Sequence, residues 1–590
     1  MFISLLLGTL VQLLFYSGIA LVGEQLSREQ PPMGIPLTVM LRPKFRITKE
    51  AVVALTIGIC LGLAKLGYVT AFYLLGRKVG VWTPLEIPYT DAVVTPLPFL
   101  VPLYVGLSPD LKEELFFRLA APYLLWRWTK RWWLSMLLPG IIWAFLHVTY
   151  PPEPAFIRGL ELTVVALVYA WIMQRYGFTA PIVAHFTYNA VLESQILLRS
   201  DETFFRFSGI VPFAFFSVLF LPAAIVYLKH RRLPSASEVP PFTPMPISKE
   251  PFVQPVPYAP YQPISRKNWL ALIALCTIGA VTPFLSREHE NFKPVALMKI
   301  NRWEAQRIAS DYLKQRGVPV ERYRIASELR SYVDDELEEN AYLLEHAGKE
   351  ALYRFWKNEK PPVFWVVRFF RPYDREVWSV ILDPKGQVWG FSHFLPEEAK
   401  GPMLTQKQAL KIAEIYLRKE KGINLSEWKL VETDHKNLPN RRDWTLTYEH
   451  KTRKVNDDTL RLRVKVQGDQ AQSFWIWWEV PEEWMFERKQ FKAWGDLVFV
   501  YLLVLALPLI IYMGICDWRE RTLGMNWQLA LKMMLTFACL VGLQIFNATA
   551  NMWVSYPTNL PPTAWLLMFF LISGISITFV VFAVSVFIGS

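Results

Sequence analysis

At 590 residues, with 53% hydrophobic and only 19% charged residues, the chain is long for one domain and too apolar for an ordinary soluble protein. Its net charge of +12 does not read as nucleic-acid binding, because the basic residues gather beside the ends of apolar stretches: Arg77-Lys78, Arg127/Lys130/Arg131, Lys229/Arg231/Arg232 and Arg519/Arg521. Cations so placed hold cytoplasmic loops and set membrane orientation. The four cysteines (Cys60, Cys276, Cys516, Cys539) lie in or beside apolar stretches, so no disulfide framework or cysteine metal site is expected in the polar part of the chain.

In chain order, apolar stretches cover 1–22, 51–75, 132–148, 156–174, 179–198, 208–228, 269–286, 495–515, 527–547 and 563–588. Each approaches or exceeds the ~20 residues that span hydrocarbon. Residues 92–128 form a further apolar region, broken near Ser108-Pro109-Asp110, that reads as one long span or two short ones. The first 22 residues lack a basic leading segment and a good cleavage signal, and read as a retained span. The expected fold class is a mainly α polytopic membrane protein, of about eleven or twelve transmembrane helices, with an inserted α+β extracytoplasmic domain.

The expected divisions are N-terminal helices (1–91), a polar-bearing helical core (92–200), a helix (201–228), a Pro-rich cytoplasmic linker (229–268) and another helix (269–286). Two α+β repeats (288–398 and 399–493) and closing helices (494–590) follow. Ten prolines between Pro234 and Pro263 mark the linker as extended. If the basic loops are cytoplasmic, residues 288–493 fall on the opposite side, whichever way 92–128 is counted.

The repeats appear as Trp303-Glu-Ala305-Gln-Arg-Ile308-Ala309 through Leu313 against Gln408-Ala409-Leu-Lys-Ile412-Ala413 through Leu417, 104 residues apart. Each helical pattern ends near a glycine, Gly317 or Gly422. Strand-like runs follow at Val363–Phe370, Val377–Leu382 and Val388–Phe391, and again at Trp444–Tyr448, Leu460–Val466 and Phe474–Val480. A helix on a small antiparallel sheet, present twice, resembles the PepSY-type modules found outside bacterial membranes; a generic tandem α+β fold fits the same pattern.

Ionisable groups inside spans are expensive and point to function. Of eight histidines only His147 and His185 lie in apolar spans. Glu113-Glu114 sit in Leu111-Lys-Glu-Glu-Leu-Phe-Phe-Arg118, where Glu114 and Arg118 share a helix face at i,i+4 and Glu113 points elsewhere. One carboxylate can then be neutralised while its neighbour serves proton transfer. The alternative for this pair is a helix start with Asp110 as cap and acids in the first turn. Trp143-Ala-Phe-Leu-His147 puts an indole and an imidazole on one face, and His185-Phe-Thr-Tyr-Asn189 an imidazole and an amide one turn apart.

Taken in order, Glu-Glu-x-x-x-Arg, aromatic-x-x-x-His and His-x-x-x-Asn, each on its own helix, resemble the CAAX-protease and bacteriocin-processing (CPBP, or ABI) family over roughly residues 92–200. Trp143 stands where phenylalanine is usual, and Leu119 follows Arg118 where glycine is common; neither removes a reactive group. The resemblance implies an intramembrane endopeptidase in which Glu113, assisted by His147, activates water. His185 and Asn189 then stabilise the oxyanion, and Glu114, Arg118 and Trp143 give structural support. It leaves zinc as the alternative cofactor, held by Glu113, His147 and His185; no His-Glu-x-x-His helix is present, and a metal-free site is preferred. Implied partners are a peptide or membrane-protein substrate and the lipid bilayer, with no nucleic acid. The implied place is a bacterial cytoplasmic membrane, crossed many times. A non-catalytic scaffold or self-immunity factor is the second reading, and a proton-relay transporter a third.

One geometric tension stands. Glu113 and His147 are each seventeen positions from the turn near Lys130, whereas His185 is only about eight from the turn near Gly177, which leaves it ~13 Å nearer that surface. Either the helix bends at Pro139-Gly140 or the helix bearing His185 starts deeper.

Overall fold

The computed structural model describes residues 44–81, 90–238, 264–285, 299–331, 337–489 and 546–568, together with 543 and apart from 149, 151, 153, 155, 199, 201 and 551. The expected spans at 1–22 and 495–515, nearly all of 527–547 and most of 563–588 lie outside these residues, as does most of the Pro-rich linker.

The N-terminal half is helical. It comprises α1 (Lys49–Gly76), α2 (Leu100–Glu114), α3 (Ala121–Thr129), α4 (Trp132–Phe145), α5 (Ile157–Tyr176), α6 (Thr179–Leu198), α7 (Thr203–His230) and α8 (Arg266–Leu285). Among the described residues, three helical stretches are long and apolar enough to cross a membrane: Lys49–Val79, Ile157–Tyr176 and Thr203–His230. Leu115–Trp126 and Trp132–Phe145 are shorter apolar helices.

α2 and α3 form one continuous helical run, joined by a π-helical stretch at Leu115–Ala120. Residues 100–129 are therefore one helical run, and Ser108–Asp110 lies inside a helix rather than at a break. The run ends at Lys130, whose left-handed backbone (φ 55°) turns the chain into α4.

α1 is the spine of this half. The spacing of Gly58 and Gly62 is that of close helix packing. A Cβ at Gly58 would lie 2.8 Å from the Ala180 carbonyl oxygen, and one at Gly62 would lie 2.5 Å from that of Ala184, both on α6. On another side Gly67 meets Gly279 of α8, where an added Cβ would sit 2.5 Å from the Gly279 Cα. Glycine is needed at these crossings because the backbones themselves touch.

The second half is a separate region of two four-stranded antiparallel sheets. In the first copy α9 (Arg302–Gln315) precedes β1 (Arg324–Ser331), α10 (Leu337–Asn358), β2 (Val363–Phe370), β3 (Val377–Leu382) and β4 (Val388–Phe394). In the second, α11 (Gln406–Lys419) precedes β5 (Trp428–Leu438), β6 (Arg441–Val455), β7 (Asp458–Gln467) and β8 (Gln470–Trp478). Each sheet is a meander, ordered β1-β2-β3-β4 or β5-β6-β7-β8.

The 104-residue offset holds through the first strand: helices start at Arg302 and Gln406, strands at Arg324 and Trp428. Both helices open on capping boxes at matching positions, Asn301 with Glu304 and Thr405 with Gln408. Beyond that the copies diverge, because α10 is inserted between β1 and β2 of the first alone. The apolar patterning marks the last three strands of each copy and does not mark β1, β5 and α10.

Equivalent positions meet where the copies join. Arg316 of the first pairs with Glu420 of the second, and the fourth strands adjoin, with Trp389 edge-on to Phe474. Such self-matching contact is what a two-fold relation between copies produces. Their buried side chains form one core, which continues to Ala92, Val93 and Val94 before α2 and to Leu197 and Phe205. Arg302 donates to the Val94 carbonyl (2.5 Å) and the Asn301 amide donates to Glu202 (3.3 Å). The sheet region thus sits at the end of the helical half where α2 and α7 begin, opposite the basic turns at Lys130 and Arg231.

Candidate active site

Glu113 and Glu114 are the last residues of α2 before the π-helical stretch, near the middle of a long helical run. This rules out the alternative of acids in the first turn of a helix capped by Asp110. A π stretch inserts one extra residue per turn and re-aims side chains, a device common at functional sites. Here it holds Arg118, whose Nε lies 3.5 Å from Glu114 Oε2; both residues are fully buried. The pairing expected at i,i+4 is therefore present, but Glu114 has a second partner. Its Oε1 accepts from His185 Nδ1 at 3.0 Å.

Glu113 points away from this pair. Its Oε2 accepts a hydrogen bond from the indole Nε1 of Trp143 at 2.7 Å. α4 ends at Phe145, two residues before His147, so the histidine is not within the helix as the 132–148 span implied. The last carbonyls of a helix have no intrahelical partner. His147 Nδ1 donates to one of these, the Trp143 carbonyl, at 2.8 Å. This fixes the tautomer in chemical terms: with its hydrogen on Nδ1, the neutral ring carries its lone pair on Nε2.

Trp143 is thus the hub. Its side chain holds Glu113 and its main chain holds His147. Its ring lies edge-on to His147 (5.1 Å between centroids) and to His185 (5.9 Å), and the Arg118 guanidinium stands 4.3 Å from its centre. A cation over an indole face adds about 0.5–2 kcal/mol. Glu113, Glu114, Arg118, Trp143, His147 and His185 are in this way linked by direct contacts. Asn189 lies one turn beyond His185 on α6 and is half-buried.

The depth mismatch is resolved by where the turns sit. Gly177 and Phe178, between α5 and α6, are buried, whereas Lys130 and Arg131, between α3 and α4, are exposed. The chain turns at Gly177 (φ 79°) inside the bundle, so α6 starts deeper and His185 comes level with Glu114. Of the two options foreseen, the deeper start accounts for it.

Residues outside the sequence motifs also reach this region. Lys65 of α1 is buried, with Nζ 3.9 Å from the Tyr188 ring centre and 5.7 Å from that of Tyr169. Glu161 of α5 is fully buried and accepts from Arg158 and from the Tyr73 hydroxyl (3.3 Å). Glu193 of α6 is fully buried too. The signal for all three is present in the sequence, since each is an ionisable residue inside an apolar stretch. Tyr150 stacks on His147 at 5.4 Å, in a turn whose polar sequence gives no such sign.

Among the described residues no three His, Cys, Asp or Glu side chains converge as metal ligands. The zinc set of Glu113, His147 and His185 is not assembled, since His185 Nδ1 faces Glu114 and Glu113 faces the Trp143 indole.

Residues 95–191 match the family described as Type II CAAX prenyl endopeptidase Rce1-like, a family of membrane proteases. With the apolar helices, this supports a membrane protein, and the matched family suggests a protease. Among curated proteins, the sporulation-killing factor biosynthesis protein SkfC of Bacillus subtilis (strain 168) is 26% identical over 145 residues, 24% of this chain. The match spans 29% of that relative's length. No solved structure matches the chain.

Proposed function

We propose that the chain is an intramembrane endopeptidase of the CAAX-protease type, with Glu113, His147, His185 and Asn189 as catalytic residues. The observation that carries the reading is the double hold of Trp143. One residue holds the carboxylate of Glu113 through its indole and the ring of His147 through its carbonyl, which ties the two groups to a single support.

In this reading a water sits between Glu113 and His147 Nε2. As its oxygen attacks the peptide carbonyl, Glu113 takes the proton and later returns it to the departing amine. His185 Nε2 and the Asn189 amide donate to the oxyanion. With Nδ1 engaged by Glu114, His185 can donate through Nε2 only as the doubly protonated ring, and Glu114 is the counter-charge beside it. Donors of this kind contribute about 10²–10³-fold each. Glu114, Arg118 and Trp143 hold these groups in place, and no step passes through a metal.

The domain divisions given above belong to the same proposal: 92–200 is the protease core, and 288–398 and 399–493 are PepSY-like copies on the extracytoplasmic side. The basic turns at the opposite end of the helical half support that placement.

The test is cleavage of a random-sequence peptide library by full-length protein in proteoliposomes, read by mass spectrometry, for wild type, Glu113→Gln and His185→Ala. Loss of cleavage in both variants is expected. Equal cleavage in all three would remove the catalytic assignment and favour the scaffold reading.

A further inference from the structure

We propose that Lys65, contributed by α1 from outside the matched segment, is a positioning residue of this site, a fixed cation that acts through Glu114 on the setting of His185. The inference rests on the proteolytic reading above and extends it to a helix that the motifs do not touch.

Lys65 lies in the middle of α1, with apolar sequence on both sides, and is 6% exposed. A cation kept there needs a partner, because so little of it is open to solvent. Its place follows from the glycines. Gly58, Gly62 and Lys65 stand at i, i+4 and i+7, one helix face, and the two glycines press that face against α6. The backbone contact that excludes a Cβ at Gly62 delivers the lysine, one turn later, beside Tyr188. That tyrosine immediately precedes Asn189 in the chain.

The rings around Lys65 are shared with the site. Tyr169, 5.7 Å from Lys65 Nζ, lies 5.9 Å from the Arg118 guanidinium and 6.0 Å between centroids from His185. Lys65 is also near enough to Glu114 for their charges to attract. Glu114 holds Arg118 and His185 directly, and the Lys65 charge adds to the positive field around its carboxylate. Lys65 touches no reacting atom in this scheme; it acts through Glu114 on the setting of His185.

The experiment uses full-length protein in proteoliposomes and a peptide that wild type cleaves and Glu113→Gln does not. Lys65→Met is expected to lower kcat at least about tenfold with KM within about twofold, and Lys65→Arg to restore most of the loss. Thermal melting of wild type, Lys65→Met, Glu114→Gln and the double variant tests the pairing without catalysis; the double variant should lose less than the two single losses together. Unchanged kcat in Lys65→Met, a rise in KM with kcat kept, no recovery in Lys65→Arg, or additive melting losses would each overturn the proposal. Should wild type and Glu113→Gln cleave alike, the proteolytic reading fails, and the melting cycle still decides whether Lys65 and Glu114 are coupled.

Discussion

Replacing Trp143 by phenylalanine tests the hub with the least disturbance. The substitution keeps a ring beside Arg118, His147 and His185 and leaves the main-chain carbonyl that holds His147. It removes one group of consequence, the indole N–H that donates to Glu113 Oε2 at 2.7 Å. A hydrogen bond to a charged partner contributes about 1.5–3 kcal/mol. Since each ~1.4 kcal/mol is a factor of ten in rate, full expression in the transition state predicts a fall in kcat/KM of roughly 10- to 150-fold. The assay is steady-state cleavage in proteoliposomes, with thermal melting alongside to show that the smaller ring is accommodated. Phenylalanine is the usual residue in the family resembled, so the ring itself should be tolerated. If Trp143→Phe cleaves within twofold of wild type at equal melting temperature, the indole does not position Glu113, and the central argument for water activation is wrong.

Three further outcomes are expected. Gly62→Ala forces a Cβ to within 2.5 Å of the Ala184 carbonyl oxygen, so α1 must shift off α6; a loss of about 1–3 kcal/mol, read by thermal melting, should accompany reduced cleavage. In the sheet region, the hydrogen bond to His393 foremost, with those from Tyr323 and Arg371, holds the Glu376 carboxyl below its ordinary range despite partial burial. A depressed carboxylate stabilises the fold above its unfolded pKa of 4.5 and loses that contribution as pH falls through the folded value. The protection of β3 and β4 against hydrogen exchange, relative to the intrinsic rate at each pH, should therefore fall in acid, and Glu376→Gln should flatten the dependence. Burial among Tyr416, Trp389 and Phe474 pushes Lys421 down to about 8. Between that value and its ordinary 10.5 the unfolded chain binds more protons, so stability should rise with pH across this window. Lys421→Met should raise the melting temperature of the sheet region at pH 7, by at most ~3 kcal/mol in stability, and less as pH approaches 10.5.

Much of the fold is legible in particular residues. The limits of α6 at Thr179–Leu198 and of β2 and β3 agree with the expected stretches because apolar periodicity and turn residues bound them directly. The repeat is legible because helix starts and caps recur at the same offset, Asn301 and Thr405 above all. β1 and β5 escape because they are polar-rich, with β5 mostly exposed, so alternation is faint in both. The end of α4 before His147 escapes because Leu146-His147-Val148 continues an apolar run without a stop signal.

What the sequence by itself determined is the chemistry: which polar groups are present in apolar helices, in what order, and which pairs share a face. Phase within one helix follows from the covalent spacing of residues, so the Glu114–Arg118 pairing and the separation of Glu113 from it are set by spacing alone. What only the tertiary structure decided is how helices stand relative to one another along their axes. That depends on where each turn is buried and where glycines let backbones touch, and neither leaves a periodic trace. The buried turn at Gly177 brought His185 to Glu114, the Gly58–Gly62 face brought in Lys65, and the free carbonyl at the end of α4 captured His147.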